Sequence, residues 1–321
     1  MNFSRLCLLA GVLALACSGA SAQTSRVPVR MISGFPPGGN VDILARVFAE
    51  KLSESIGRPV VVEARVGAGG QIGLEAVKNA APDGNTLVLT PDASLIVRPL
   101  TMKVPPYDPI NDFAAVAHVG AQDYAFAIGA AIPAKDLRAF ATWAKANPKA
   151  ANFGSAGQGG ATHFLGMLIG QALGVPLQQI PYNGSGPGVT ALVAGEISST
   201  VQPLGTVLAQ AQAGKIRIVA ITGSERSSAA PGVPTFSELG YPTLTVSNWF
   251  GIFAPAHTPP ELVSQLNAIF VKAMRTQAVK DRLQNLGFEV REMTAPQFAA
   301  LVKADYERWR PVIKASGFTS Q

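Results

Sequence analysis

Apolar residues recur along the chain at two spacings, and each spacing predicts its own kind of element. Residues 29–35 and 86–90 are short apolar runs bounded by turn residues, the mark of buried strands. Between them, Leu44, Val47, Phe48 and Leu52 share one face of a helix expected over residues 42–55. Residues 59–63 read as a valine-rich strand and 72–79 as a helix. The alternation resumes downstream. Helices are predicted over 137–146, 159–173, 188–194 and 203–213, and strands over 151–155, 177–182, 197–201 and 215–222. A strand over 247–254 precedes helices over 259–274 and 296–314. The last of these carries Phe298, Leu301, Val302, Trp309 and Val312 at helical spacing.

Strands alternating with helices through short links imply an α/β fold of parallel sheets covered on both faces. Two blocks of alternation, 27–120 and 135–222, imply two such domains. Residues 124–132 and 247–254 are the expected crossovers. The predicted architecture is therefore two doubly wound sheets joined by two crossover strands, with a cleft between the lobes. The first lobe takes residues 23–123 plus 252–321 and the second 124–251, after a leader at 1–22. Such a layout suits hinge closure around a ligand.

Composition narrows the reading. Hydrophobic residues are 48% and charged residues 14%, which excludes a disordered chain. Aromatics at 7% argue against stacking platforms for single-stranded nucleic acid. The one long apolar run, Leu6 to Cys17, follows Arg5 and leads into Ser18-Gly19-Ala20-Ser21-Ala22. This is the pattern of a secretory signal cleaved after Ala22. It is too short to span the ~30 Å hydrocarbon layer as a helix. Leu15-Ala16-Cys17 only loosely suggests a lipidation site, since Ala14 is a weak residue three before the cysteine. Cys7 and Cys17 both leave with the signal, so the mature chain has no disulfide, thiolate metal site or cysteine nucleophile. Lys and Arg number 26 against 20 acids, a mild and scattered excess that suits a small anion better than nucleic acid.

Catalytic patterns are mostly missing. The sequence holds no Gly-x-Ser-x-Gly elbow, Walker loop or His-Glu-x-x-His. His118, His163 and His257 lack metal-ligand spacing, and the glycines of Gly154 to Gly160 do not match a dinucleotide fingerprint. No cofactor or metal is expected. What recurs is a glycine-rich turn that follows a strand and opens a helix. It occurs at Phe35-Pro36-Pro37-Gly38-Gly39, at Gly67 to Gly70, at Gly154 to Gly160 and at Asn183-Gly184-Ser185-Gly186. Glycine lets backbone N–H groups approach a ligand, and a helix N-terminus stabilises an anion through orphan donors and its dipole. Glycine also simply permits a tight turn, so any one turn alone carries little.

Around these turns, Asp42 is a helix cap or a ligand partner. Ser94 stands at a strand end, where it donates to a ligand or caps a helix. Ser155 and Thr162 are hydroxyl donors, and the Tyr182 phenol is expected to face the cleft, while Trp249 is expected in the core. Two rival classes remain: an exported hydrolase or isomerase using Ser155 with His163, and a structural secreted protein without a ligand.

The run Phe35-Pro36-Pro37-Gly38-Gly39-Asn40-Val41-Asp42-Ile43-Leu44-Ala45-Arg46 resembles the opening signature of Bug-type (TctC-like) receptors of tripartite tricarboxylate transporters. Gly67-Ala68-Gly69-Gly70-Gln71-Ile72-Gly73, Ala81-Pro82-Asp83-Gly84-Asn85-Thr86-Leu87 and Tyr107-Asp108-Pro109 agree in order. So do Phe153-Gly154-Ser155-Ala156-Gly157, Ile180-Pro181-Tyr182-Asn183-Gly184 and Trp249-Phe250-Gly251. The resemblance implies a non-enzymatic, monomeric periplasmic binding protein that closes on a small organic carboxylate and docks on the transporter's membrane components or a signalling partner. It implies that Phe35, Gly38, Gly39 and Asp42, with Ser155, Ala156, Thr162, His163 and Tyr182, hold the ligand. The sequence departs from the family at Ser198 and Gln202, where acids are expected; Gln202 is expected on the cleft and to alter the ligand. Ala64-Arg65-Val66 replaces the usual Asn-Arg-Pro, with the glycines after it kept.

Overall fold

The expected alternation of strands and helices is present, but the sheet it builds is mixed. A computed structural model of the protein describes residues 27–320; the leader, both cysteines and the cleavage site lie outside them. The chain begins with β1 (Val29–Ser33), α1 (Asn40–Ile56), β2 (Val60–Ala64), α2 (Gln71–Lys78) and β3 (Thr86–Pro91). A π-helical turn (Ala93–Val97) and the short α3 (Arg98–Leu100) lead to the long β4 (Phe113–Gly129). Next come α4 (Leu137–Ala146), β5 (Asn152–Ser155), α5 (Ala161–Leu173), β6 (Gln178–Pro181), α6 (Ser185–Ala194) and β7 (Ser199–Pro203). Then follow α7 (Leu204–Gln212), β8 (Ile216–Ile221), β9 (Ser247–Pro255), α8 (Pro260–Met274), α9 (Gln277–Asn285) and α10 (Ala295–Ser316).

The strands lie in the order β2-β1-β3-β9-β4-β7-β5-β6, and β8 also pairs with β4. The βαβ units at each end are parallel, as the alternation predicts. The centre is antiparallel, because β4 runs against β9, β7 and β8, and β9 against β3. β3 and β4 are not neighbours: each runs antiparallel to β9, which lies between them, so the two share one direction across the link of residues 92–112.

β4 changes partners between two adjacent residues: Asp123 is the last to pair with β9, opposite Ser247, and Tyr124 the first to pair with β7, opposite Pro203. Among the described residues, β9 pairs only with β3 and the first part of β4. The expectation that residues 247–254 cross between sheets is therefore corrected. The chain returns through 222–246, where the Val246 N–H donates to Thr222 O at 3.1 Å.

Burial follows the periodicity. Leu44, Phe48 and Leu52 of α1 are fully buried, and Phe48 meets Phe270 of α8 edge-on at 5.9 Å. Each such aromatic contributes roughly 1.5–3 kcal/mol by leaving water. One apolar cluster is continuous across the point where β4 changes partners, joining Ile32 and Leu74 to Trp249, Phe126 and Phe153. α10 opens with a capping box between Thr294 and Gln297 and buries Phe298 and Trp309. Its Asp305 accepts from the Trp249 indole N–H at 2.7 Å.

Candidate functional site

The glycine turns are held in shape by their own helices. In α1 the backbone ladder starts with the Ile43 N–H donating to Gly39 O at 2.9 Å, so Asn40, Val41 and Asp42 offer N–H groups with no acceptor inside the helix. The Asp42 side chain reaches back, and its Oδ2 accepts from the Gly38 N–H at 3.0 Å and from Arg46 Nε at 2.9 Å. The hydrogen bond from Arg46, with that from Gly38, holds this buried carboxyl below the usual carboxylate range. Its Oδ1 is buried and has no partner among the described residues.

α5 repeats the device. Thr162 Oγ1 accepts from the Ala156 N–H at 3.0 Å, and His163 Nδ1 accepts from the Gly159 N–H at 3.1 Å. Burial lowers the His163 imidazole from its ordinary value and so favours the neutral ring, and the Gly159 bond requires the tautomer with Nδ1 unprotonated. The Ser155 hydroxyl donates to Gly157 O at 2.9 Å and accepts from Gln179 Nε2 at 2.8 Å. Ser155 Oγ thus bonds Gly157 and Gln179, and His163 Nδ1 bonds Gly159; the bonds given to the two side chains do not join them to each other. That is not the geometry of a nucleophile and its base.

The first two turns dock on one another. A Cβ on Gly34 would fall 2.7 Å from Gly70 Cα, and one on Gly70 would fall 3.0 Å from both Phe35 Cε2 and Ser94 Oγ. Ser94 donates to Gly69 O at 2.7 Å, and Tyr107 OH donates to the Ser94 carbonyl. Phe35, Gly70 and Ser94 are therefore brought together. Elsewhere the Tyr182 ring lies against Gly154 and Gly188, its phenol pushed up by burial and then by Glu196. Gln202 is fully buried at Gly188 of α6; its Nε2 donates to Thr200 Oγ1 at 3.1 Å and its Oε1 has no partner among the described residues. Ser198 bonds Asn152, donating from Oγ to the carbonyl at 2.8 Å and from its N–H to Oδ1 at 2.8 Å, so it ties β7 to β5.

The eleven candidates fall into groups on the two sides of β4, and among the described residues no hydrogen bond joins one side's group to the other's. A cavity of about 960 Å³ lies at this junction. Asn40 and Ser185, the first residues of α1 and α6, line it with Pro203 and Leu204 at the start of α7. Gln122, Asp123 and Asn248 line it where β4 and β9 end their pairing. None of the eleven candidates is on that wall, although Asn40, Ser185 and Pro203 lie within three residues of Gly39, Tyr182 and Gln202. The adjacent polar pair Gln122 and Asp123 inside a mostly apolar strand was the available sequence signal for the lining. Burial, then the charge of Glu289, raises Asp123 to about 7, while Arg291 opposes the shift.

The four helices opened by the glycine turns have glycine N-caps without a side-chain cap. By contrast, the caps of α4 and α10 are made by Asp136 and Thr294. Residues 44–318 match the family model of the tripartite tricarboxylate transporter family receptor. The chain belongs to this receptor family. It is 34% identical to protein BugT of Bordetella pertussis over 323 residues, covering 99% of each chain. Among solved structures, it is similar to MatC from Rhodopseudomonas palustris with bound malate. The identity there is 30%, the TM-score 0.72, and 89% of this chain and 98% of that one are covered. The periplasmic binding protein BugD is 30% identical with a TM-score of 0.71, over 92% and 99% of the two chains. The receptor thus has the α/β fold of periplasmic binding proteins with a curled mixed sheet, and periplasmic placement is typical of its family. Its class is solute-binding and not enzymatic, which agrees with the separate engagement of Ser155 and His163.

Proposed function

We propose that this receptor, exported by its N-terminal segment, captures a small organic carboxylate between two lobes and delivers it to the membrane components of a tripartite transporter. The lobes comprise residues 23–123 plus the chain from β9 onward and residues 124–246, divided where β4 exchanges β9 for β7, so that β9 is not split at residue 251. The carboxylate sits against the turns that open α1 and α5, with Phe35, Gly38, Gly39, Asp42 and Ser94 on one side. Ser155, Ala156, Thr162, His163, Tyr182 and Gln202 shape the other. The observation that carries this reading is the row of glycine N-caps without side-chain caps, which leaves first-turn N–H donors free for an anion. Asp42, Thr162 and His163 keep the turns rigid, so little ordering is spent at the moment of binding. Closure then excludes water and strengthens each N–H to carboxylate bond. The malate bound to MatC makes a dicarboxylate the first ligand to try.

Titration calorimetry of the mature receptor against malate and related mono- and dicarboxylates tests the reading. One ligand per chain is expected, with a thermal shift equivalent to about 2.7 kcal/mol at 100 times the dissociation constant. Turnover of an ester or carboxylate substrate, or no shift with any acid, contradicts it.

A further inference from the structure

The C-terminal residues beyond α10 form a strap between the two sides of the molecule. α10 ends on Gly317, which adopts φ +67, and the Phe318 N–H donates to Ser316 Oγ at 3.1 Å. Two residues later the chain hooks onto the first side. The Ser320 N–H donates to Thr101 O at 2.7 Å, its hydroxyl lies 3.3 Å from Thr101 Oγ1, and Ser320 bridges Met102 in parallel. Thr101 directly follows α3, at the end of the helical stretch that begins at Ala93 and carries Ser94.

Between the turn and the hook, Phe318 projects onto the opposite side. Its ring meets His163 edge-on at 5.7 Å and 85°, and Phe164 at 5.9 Å and 74°. It also covers Gly159, whose φ is +73 and where any Cβ would overlap Phe318 Cε1. Gly159 is the residue whose N–H the His163 ring accepts. Edge-to-face aromatic pairs of this kind add to simple burial and fix ring orientation. A continuous physical path therefore runs from the Ser94 turn through Thr101, Ser320 and Phe318 to the Gly159–His163 bond. Such paths of packed and bonded groups carry coupling between distant sites.

We propose that Phe318 is a positioning residue of the ligand site: the strap hooked on Thr101 holds the Gly157–His163 loop in its anion-binding shape and ties its position to the Ser94 side. The ring orients the imidazole, the imidazole orients Gly159, and the loop N–H groups point at the ligand only while both stay in place. This inference rests on the carboxylate-receptor reading for its effect on affinity, but not for its effect on the loop.

The test uses the whole mature chain as F318A, F318Y and a truncation that removes Thr319 to Gln321 and leaves the ring. Hydrogen exchange of the segment 157–164 is measured without ligand, and carboxylate affinity by calorimetry. In F318A and in the truncation, exchange in this segment should rise about tenfold, while β1 and β3 change little. F318Y keeps the ring and should restore wild-type exchange. A carboxylate that the wild type binds should lose about tenfold affinity in F318A and recover it in F318Y. Unchanged loop exchange in F318A overturns the proposal. So does faster exchange with full affinity, or faster exchange spread evenly over the molecule. If the wild type binds no carboxylate, the receptor reading fails, and the exchange data alone decide whether the strap holds the loop.

Discussion

Asp42 Oδ2 accepts from the Gly38 N–H at 3.0 Å, and His163 Nδ1 accepts from the Gly159 N–H at 3.1 Å. In both cases the third residue of a helix reaches four residues back to pin the glycine turn before it. Two different side chains on opposite sides of β4 do the same work. The residues with the most evident chemistry therefore shape the site, and the backbone beside them is what remains to bind.

Removing the Asp42 carboxylate should loosen the first turn. D42A is expected to lose about 1–2 kcal/mol of stability, the range for a lost helix-start acceptor. Since the folded pKa is depressed, the wild-type carboxylate contributes fully above about pH 4 and loses its contribution as pH falls through the folded value. Melts of wild type and D42A should thus converge in acid. A constant difference from pH 7 down to pH 2 contradicts this.

His163 runs the other way in charge. Its folded pKa is lowered by burial, so the fold's preference for the neutral ring is complete above about pH 6.5 and is lost as pH falls towards the folded value. Imidazole resonances of His163 should titrate below 6.5, and loop exchange should quicken over the same range. His118 behaves alike, at about 4, with its Nδ1 at Arg291 O. A His163 midpoint at or above 6.5 contradicts the observed Gly159 bond.

Gly34 has no room for a side chain, because Gly70 Cα and O would lie 2.7 and 2.9 Å from its Cβ and neither is movable. G34A should separate the first two glycine turns, costing about 1–3 kcal/mol by overpacking. A fall in melting temperature with a native circular dichroism spectrum is expected. A melting temperature equal to wild type shows that the two turns do not dock.

Asp123 stands where β4 changes partners, with Glu289 and Arg291 close by. Its folded pKa of about 7 exceeds the unfolded value near 4, so its effect on stability worsens as pH rises between them. D123N should be more stable than wild type at pH 8 and no more stable at pH 4. Equal differences at both pH values overturn the assignment.

Much of the architecture was legible because period and turn chemistry agreed. The helix carrying Leu44, Phe48 and Leu52 and the strands on either side were visible, as were the four glycine turns. Three features were not. The first part of β4, Phe113-Ala114-Ala115-Val116-Ala117, is alanine-rich and lacks the β-branched signal of a strand. α9 buries only Val279 and Leu283, too few positions to define a face. The antiparallel centre depends on which strands meet, which periodicity does not encode. Ser198 shows the limit at the site: sequence placed it among possible ligand determinants, whereas its hydroxyl is consumed by Asn152. Residue type suggested the chemistry, but the partner of each polar atom was decided by the packing of β5 against β7.

The most direct measurement is a crystal structure of the mature receptor grown with a carboxylate selected by calorimetry. The account predicts carboxylate oxygens about 2.7–3.1 Å from backbone N–H groups at the openings of α1 and α5 at once, with both sides closed over them. A ligand gripped by an arginine or lysine side chain, or seated away from these two turns, would contradict it.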